Sequence, residues 1–344
     1  YWLKERDTQP VLDYLKAEND YTFAKMKHTE LLQKTLYNEM RGRIKEDDTT
    51  VPYKFGNYMY YTRTEEDLQY DIYCRKLGNA SGDEEITLNM NEMAKKHDYI
   101  DLSAYKISPN EKLLALTIDT SGAELHKLIV KDIKTGEILD DNLSNLDGSV
   151  EWANDNKTLF YTVLDKAHRS FQLWRHELGN EQSDDVLVFQ EDDDRFSVGL
   201  HRTKSGEFLK MDLESQITTE VYLLDRNDPF GEWKLVQPRE QGIEYYVYHR
   251  GDYLYQITNK DAINFKMIRT TLKGGKEDEL IPNRDKTTLD DASMFKNHMA
   301  VLERVNGNLE IRLFNFEDES WYKIEMNEDI YSLTFEENYD WNSD

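Results

Sequence analysis

Asn156-Lys157-Thr158-Leu159-Phe160-Tyr161-Thr162-Val163 is a polar two-residue turn running into six β-branched, aromatic and aliphatic residues. That is a strand of ordinary length entered from a tight turn. The same pattern, polar turn then apolar strand, recurs along the chain. It is seen at Gly56-Asn57, Glu111-Lys112, Gly206-Glu207, Gly251-Asp252 and Asn297-His298. The second residues of the six turns are 57, 112, 157, 207, 252 and 298, so successive turns lie 55, 45, 50, 45 and 46 residues apart. A second turn series, Gly78, Gly136, Gly179, Asn227, Gly274 and Glu317, interleaves with the first at spacings of 58, 43, 48, 47 and 43. Two series holding one phase at a period near 45 read as β-propeller blades of four short strands each. Two stacked β-sandwiches would account for the strands but not for the shared period.

Outward from that core, six blades run from about Lys54 to Met326. Ile330-Tyr331-Ser332-Leu333-Thr334-Phe335 reads as the first strand of a seventh, after which the sequence ends. A chain that stops inside a blade is expected to be part of a longer protein, whether its end is natural, engineered or proteolytic. The first fifty residues differ. Pro10 suits a helical first turn. Leu12, Leu15, Phe23 and Met26, then Leu32, Leu36 and Met40, fall at helical spacing. Asp47-Asp48-Thr49-Thr50-Val51-Pro52 breaks the pattern. The expectation is a helical segment over 1–50, with helices within 10–41, and an all-β propeller over 51–344, incomplete at its last blade.

The 344 residues carry 68 acidic and 43 basic side chains, a net charge of −25. Such a surface repels phosphate backbones and disfavours nucleic acid. It attracts cationic ligands, and it is equally what a well-solvated surface carries. Aromatics at 12% argue against disorder. The one cysteine, Cys74, excludes an internal disulfide and suits a reducing, cytoplasmic setting. No run approaches the roughly 20 apolar residues of a membrane helix.

Catalytic motifs are missing. The sequence has no G-x-S-x-G elbow, Walker loop or G-x-G-x-x-G. His176-Glu177-Leu178-Gly179-Asn180 has Asn180 where a zinc protease needs its second histidine. Glu191-Asp192-Asp193-Asp194 lacks the alternating ligands and glycine of a calcium loop. No metal, cofactor or catalytic residue is assigned to the chain. Trp152, Trp174, Trp233 and Trp321 are read as packing between blades rather than as a ligand-stacking surface.

Several stretches together resemble the prolyl oligopeptidase family of serine peptidases, most closely its oligopeptidase B (protease II) branch. They are Tyr1-Trp2-Leu3, Tyr14 to Tyr21, Ala94 to Tyr99 and Ser108-Pro109-Asn110. The most telling pair is Trp152 to Tyr161 followed by Leu173 to Gly179. The resemblance implies a helical entry, a seven-bladed propeller and then an α/β-hydrolase domain that supplies Ser, Asp and His. It implies a propeller that caps the active site, admits only short peptides and serves cleavage after Lys or Arg. The hydrolase domain is not in this sequence, so no catalytic residue is carried over. A stand-alone propeller serving as a protein- or peptide-binding scaffold is the alternative.

If each blade's first strand is innermost, the loops between second and third strands share one face with the loops between blades. By the resemblance that face meets the hydrolase domain. Its charged members are Glu124, Asp147, Asp165, Arg169, Asp192 and Asp193. They are candidates for interdomain salt bridges or for steering short basic peptides, and ordinary solvated loop charge is the other reading of each.

Overall fold

The computed structural model describes residues 1–79, 81–336 and 338–343, and of Asp140 only the backbone. The chain divides into two compact units, 1–50 with 63–69, and 51–62 with 70–344.

In the first unit, Pro10 opens helix α1 (Gln9–Met26), where its missing N–H costs nothing. Helix α2 (Glu30–Arg41) follows after one tight turn. Arg41 closes the unit by pairing with Glu46 and Asp67, each at 2.6 Å. Of α1 only Val11 is buried, and α2 buries nothing. Leu12, Leu15, Phe23, Leu32, Leu36 and Met40 all stand exposed.

The second unit is built of antiparallel four-stranded blades. Blade 1 is β1 (Tyr53–Phe55), β2 (Tyr58–Arg63), β3 (Ile72–Leu77) and β4 (Glu84–Asn89). Blade 2 is β5 (Asp101–Ile107), β6 (Leu113–Asp119), β7 (His126–Asp132) and the start of β8 (Ile138–Trp152). The end of β8 opens blade 3, followed by β9 (Thr158–Leu164), β10 (Ser170–Glu177) and β11 (Val186–Gln190). Blade 4 is β12 (Ser197–Arg202), β13 (Phe208–Glu214), β14 (Thr219–Asp225) and β15 (Lys234–Gln237). Blade 5 is β16 (Tyr245–Arg250), β17 (Tyr253–Thr258), β18 (Lys266–Thr271) and β19 (Asp278–Ile281). Blade 6 is β20 (Thr287–Met294), β21 (His298–Val305), β22 (Asn308–Asn315) and β23 (Trp321–Lys323). The first turn series joins first to second strands and the second series joins third to fourth, so both lie at one end of the unit.

β8 serves two blades because it bends at Gly148, between its pairings with β7 and β9. Gly148 sits at φ +110°, and a Cβ there would lie 2.4 Å from Ser103 Oγ. Only glycine fits that approach.

The core lies between blades. Phe160 and Leu173 of blade 3 pack on Val198, Leu209 and Met211 of blade 4. Val221 and Leu223 of blade 4 pack on Tyr245 and Val247 of blade 5. The four tryptophans singled out above all lie in or against these inter-blade clusters. Polar ties fall one repeat apart. Trp152 Nε1 donates to the Lys106 carbonyl at 2.9 Å, and Tyr248 OH donates to Asp291 at 2.8 Å.

Residues 330–335 differ from expectation and form no strand. A blade's first strand is held by its second, and among the described residues no strand pairs with 330–335. The segment after them docks instead. Tyr339 packs on Tyr53, with ring centroids 4.9 Å apart, and on Phe55. Asp340 pairs with Lys54 at 3.0 Å, and the Trp341 carbonyl accepts from the Lys296 N–H.

Candidate functional site

Of the four segments expected to be loops on one face, three are loops, and the fourth, 145–148, lies inside the continuous strand β8. The 120–125 and 165–169 loops join second to third strands, and residues 145–148 and 191–196 lead from one blade to the next. All emerge at the end opposite the two turn series.

Blades 3 and 4 and the segment leading to blade 5 interlock there. Asp165 accepts from the Ala167 N–H at 2.8 Å and from Arg169 Nε at 2.9 Å. The backbone N–H and guanidinium of Arg169 hold the Asp165 carboxyl below its ordinary range. The far end of Arg169 donates to the carbonyls of Asp193 at 3.0 Å and Phe196 at 2.7 Å. Asp193 pairs with Arg195 at 2.6 Å, and that bond chiefly draws its carboxyl down to about 2. Glu191 is buried; it accepts from the Asp193 N–H and pairs with Arg239 at 2.5 Å. Arg239 also reaches Glu220 at 3.3 Å and lies 4.0 Å from the Phe196 ring centroid.

Three of the sequence candidates, Asp165, Arg169 and Asp193, therefore belong to one network. Asp192 is exposed beside it and accepts from Gln190 Nε2 at 2.7 Å. Glu124 and Asp147 stand apart from it. Glu124 is exposed, with its backbone N–H on Asp119. Asp147 caps the Ser149 N–H at 2.7 Å beside the β8 bend. Sequence reasoning missed Arg239 and Glu220. The available signal was the period, since Arg239 lies 48 residues after Glu191, on the same kind of loop one blade later.

The chemistry of this face is bracing. Asp165, Glu191, Asp193 and Glu220 are answered by Arg169, Arg195 and Arg239. Elsewhere, Ser205 Oγ lies 2.7 Å from His249 Nδ1, but His249 Nε2 is held on the Gly251 carbonyl and the hydroxyl also meets Thr203. That contact ties the first turn of blade 4 to strand β16 of blade 5. Among the described residues, no group of three or more His, Cys, Asp or Glu is placed to hold a metal ion. None of their helices is long and apolar enough to cross a membrane.

Residues 1–343 match the family model described as the prolyl oligopeptidase N-terminal beta-propeller domain. The chain belongs to that family. Among curated prolyl oligopeptidase relatives, Protease 2 of Moraxella lacunata is 31% identical, over 99% of this chain and 51% of its own length. Dipeptidyl aminopeptidase BI of Pseudoxanthomonas mexicana is 32% identical, over 97% and 49%. The solved oligopeptidase B of Leishmania major superposes with a TM-score of 0.90 at 27% identity, covering 96% of this chain and 49% of that one. Oligopeptidase B of Trypanosoma brucei, solved in a closed form with covalently bound antipain, gives 0.88 at 29% identity, covering 96% and 48%. The chain thus spans about half the length of the oligopeptidases it matches, and the half it spans is the propeller.

Proposed function

We propose that this chain is the gating, substrate-filtering propeller of a serine oligopeptidase of the oligopeptidase B kind. The complete enzyme cleaves short peptides after Lys or Arg, with a Ser-Asp-His triad in an α/β-hydrolase domain outside this sequence. The loop face carrying Glu124, Asp147, Asp165, Arg169, Asp192 and Asp193 meets that domain or the incoming peptide. A cytoplasmic setting belongs to the same reading, supported by the single, buried Cys74.

One observation carries the reading over that of an independent scaffold. The helical unit leaves Leu12, Leu15, Phe23, Leu32, Leu36 and Met40 in water. Burying a large aliphatic or aromatic side chain is worth about 1.5–3 kcal/mol, so a row left uncovered favours a covering partner. A hydrolase domain of the same protein is the partner this family supplies.

The test is activity by complementation. The pure chain is expected to leave an Arg-containing fluorogenic peptide uncut, because among the described residues no nucleophile, base and oxyanion hole come together. Co-expression with an oligopeptidase B hydrolase domain is expected to give cleavage that a serine-directed inhibitor abolishes. Turnover by the chain alone, insensitive to that inhibitor, would overturn the proposal. So would a hydrolase domain that neither binds the chain nor gains activity from it.

A further inference from the structure

At the turn end of the propeller lies a cavity of about 680 Å³. First strands of five blades line it, through Phe55, Lys106, Trp152, Arg202 and Ser293, and the 338–342 segment lies along one side. It lies at the turn end of those first strands, away from the loop face, and the gating role proposed above does not use it.

The charge of this cavity runs against that of the molecule. Lys54, Lys106, Arg202, Lys204 and Arg226 line it, against Glu151, Glu336 and Asp340. Glu151 is taken by Lys106 at 2.5 Å and Asp340 by Lys54 at 3.0 Å. Glu336 is exposed. Among the described residues, none of Arg202, Lys204 and Arg226 has a carboxylate partner. Yet all three are held in place. The Arg202 guanidinium lies 4.6 Å from the Phe55 ring centroid. Lys204 Nζ lies 3.5 Å from the Phe295 centroid and donates to Ser293 Oγ at 2.7 Å. Arg226, only 4% exposed, donates Nε to the Trp152 carbonyl at 3.0 Å and Nη1 to the Gly206 carbonyl at 2.9 Å.

We infer that Arg202, Lys204 and Arg226 form a binding site for an oxyanion, the carboxylate or phosphate group of a small organic anion, in the cavity at the turn end of the propeller. A buried cation is costly unless a counter-charge answers it, and removing a partner from such a charge is strongly destabilising. Here, among the described residues, three cations line one cavity and rest on carbonyls, rings and one hydroxyl, and the acidic charge acting on Arg226, Glu151, is itself paired with Lys106. Burial pulls Lys204 down to about 8, and burial together with the neighbouring Arg202 charge pulls Arg226 down to about 10. An anion between them offsets both penalties. Guanidinium and ammonium groups are also the donors that recognise carboxylate and phosphate oxygens. The volume accommodates a molecule larger than a bare ion.

The experiment is calorimetric titration of the whole chain at fixed ionic strength. Three probes are used: inorganic phosphate, trialanine with a free C-terminus, and trialanine amide. Saturable binding of phosphate or the free acid, with none of the amide, is expected. Phosphate binding more tightly assigns the site to phosphate groups; the free acid binding more tightly assigns it to peptide carboxylates. Arg202→Gln and Lys204→Gln should each weaken the preferred probe about tenfold, the loss of one charge-assisted hydrogen bond. Lys273→Gln, a surface control, should not. An unchanged thermal melt in the absence of probe shows that the variants remain folded; a variant that melts early is replaced by Arg202→Lys or Lys204→Arg, each of which should retain binding. No saturable binding of either anion overturns the inference, as does equal weakening in Lys273→Gln or equal binding of the amide.

Discussion

His176 shows how much one side chain can hold here. Its ring is fully buried, with Nδ1 2.6 Å from Asp185 and Nε2 3.2 Å from Asp141. Asp185 also accepts from Tyr161 OH at 2.8 Å, and Asp141 from the Gly179 N–H. Burial opposes protonation of the ring, but the two carboxylates outweigh it and raise the His176 pKa above its ordinary value. The folded state therefore binds this proton more tightly than the unfolded chain does. The resulting stability is fully present below the unfolded value near 6.5 and is lost as pH rises through the folded value. His176→Gln is expected to cost about 3–5 kcal/mol at pH 6, the range for breaking a buried pair. Urea denaturation from pH 5.5 to 9 should show the gap between variant and parent narrowing as pH rises. A gap constant across that range would mean the ring acts through packing alone. None of this was legible beforehand. The sequence offers His176 as a zinc motif lacking its second histidine and as one residue of the Leu173 to Gly179 stretch, and no spacing rule links it to residues 9 and 35 positions away.

Elements were far more readable, for a local reason. A turn between antiparallel strands needs residues that tolerate turn geometry, so Gly and Asn mark it in the sequence. Both turn series therefore fall where blades turn, and α1 and α2 fall where Pro10 and the leucine spacing put them, whereas the short helix Met90–Ala94 between blades 1 and 2 lay outside that reading. Pairing beyond one blade is another matter. Arg239 ties the loop after β11 to the loop after β15 by holding buried Glu191 and Glu220. Only counting one period forward from Glu191 would have suggested it. Arg239→Gln leaves two buried carboxylates short of a cation and is expected to cost about 3 kcal/mol. Hydrogen exchange should then quicken first in residues 191–196 and 238–244. Faster exchange spread evenly over all six blades would show that the pair stabilises the whole unit and not these loops.

At the scale of the molecule, the acidity that composition records is not spread as composition suggests. The net −25 invites a picture of four carboxylates at 191–194 drawing in basic peptides. In the structure Glu191 is spent on Arg239 and Asp193 on Arg195, so Asp192 and Asp194 remain as the outward charges. The steering expectation narrows accordingly. In a protein joining this propeller to an oligopeptidase B hydrolase domain, Asp192→Asn with Asp194→Asn should lower kcat/KM for Lys and Arg peptides at low salt. A loss of about two- to fivefold suits two exposed charges, near the low end of what steering supplies. Exposed charges act over about 10 Å at 0.1 M salt, so the loss should fade as salt rises. The kcat should hardly move, since encounter and not chemistry is altered. Asp193→Asn should behave differently. It frees Arg195 and loosens the loop, so its effect should persist at high salt. If the double variant matches the parent at low ionic strength, the loop does not face incoming peptide, and its acidity serves solubility.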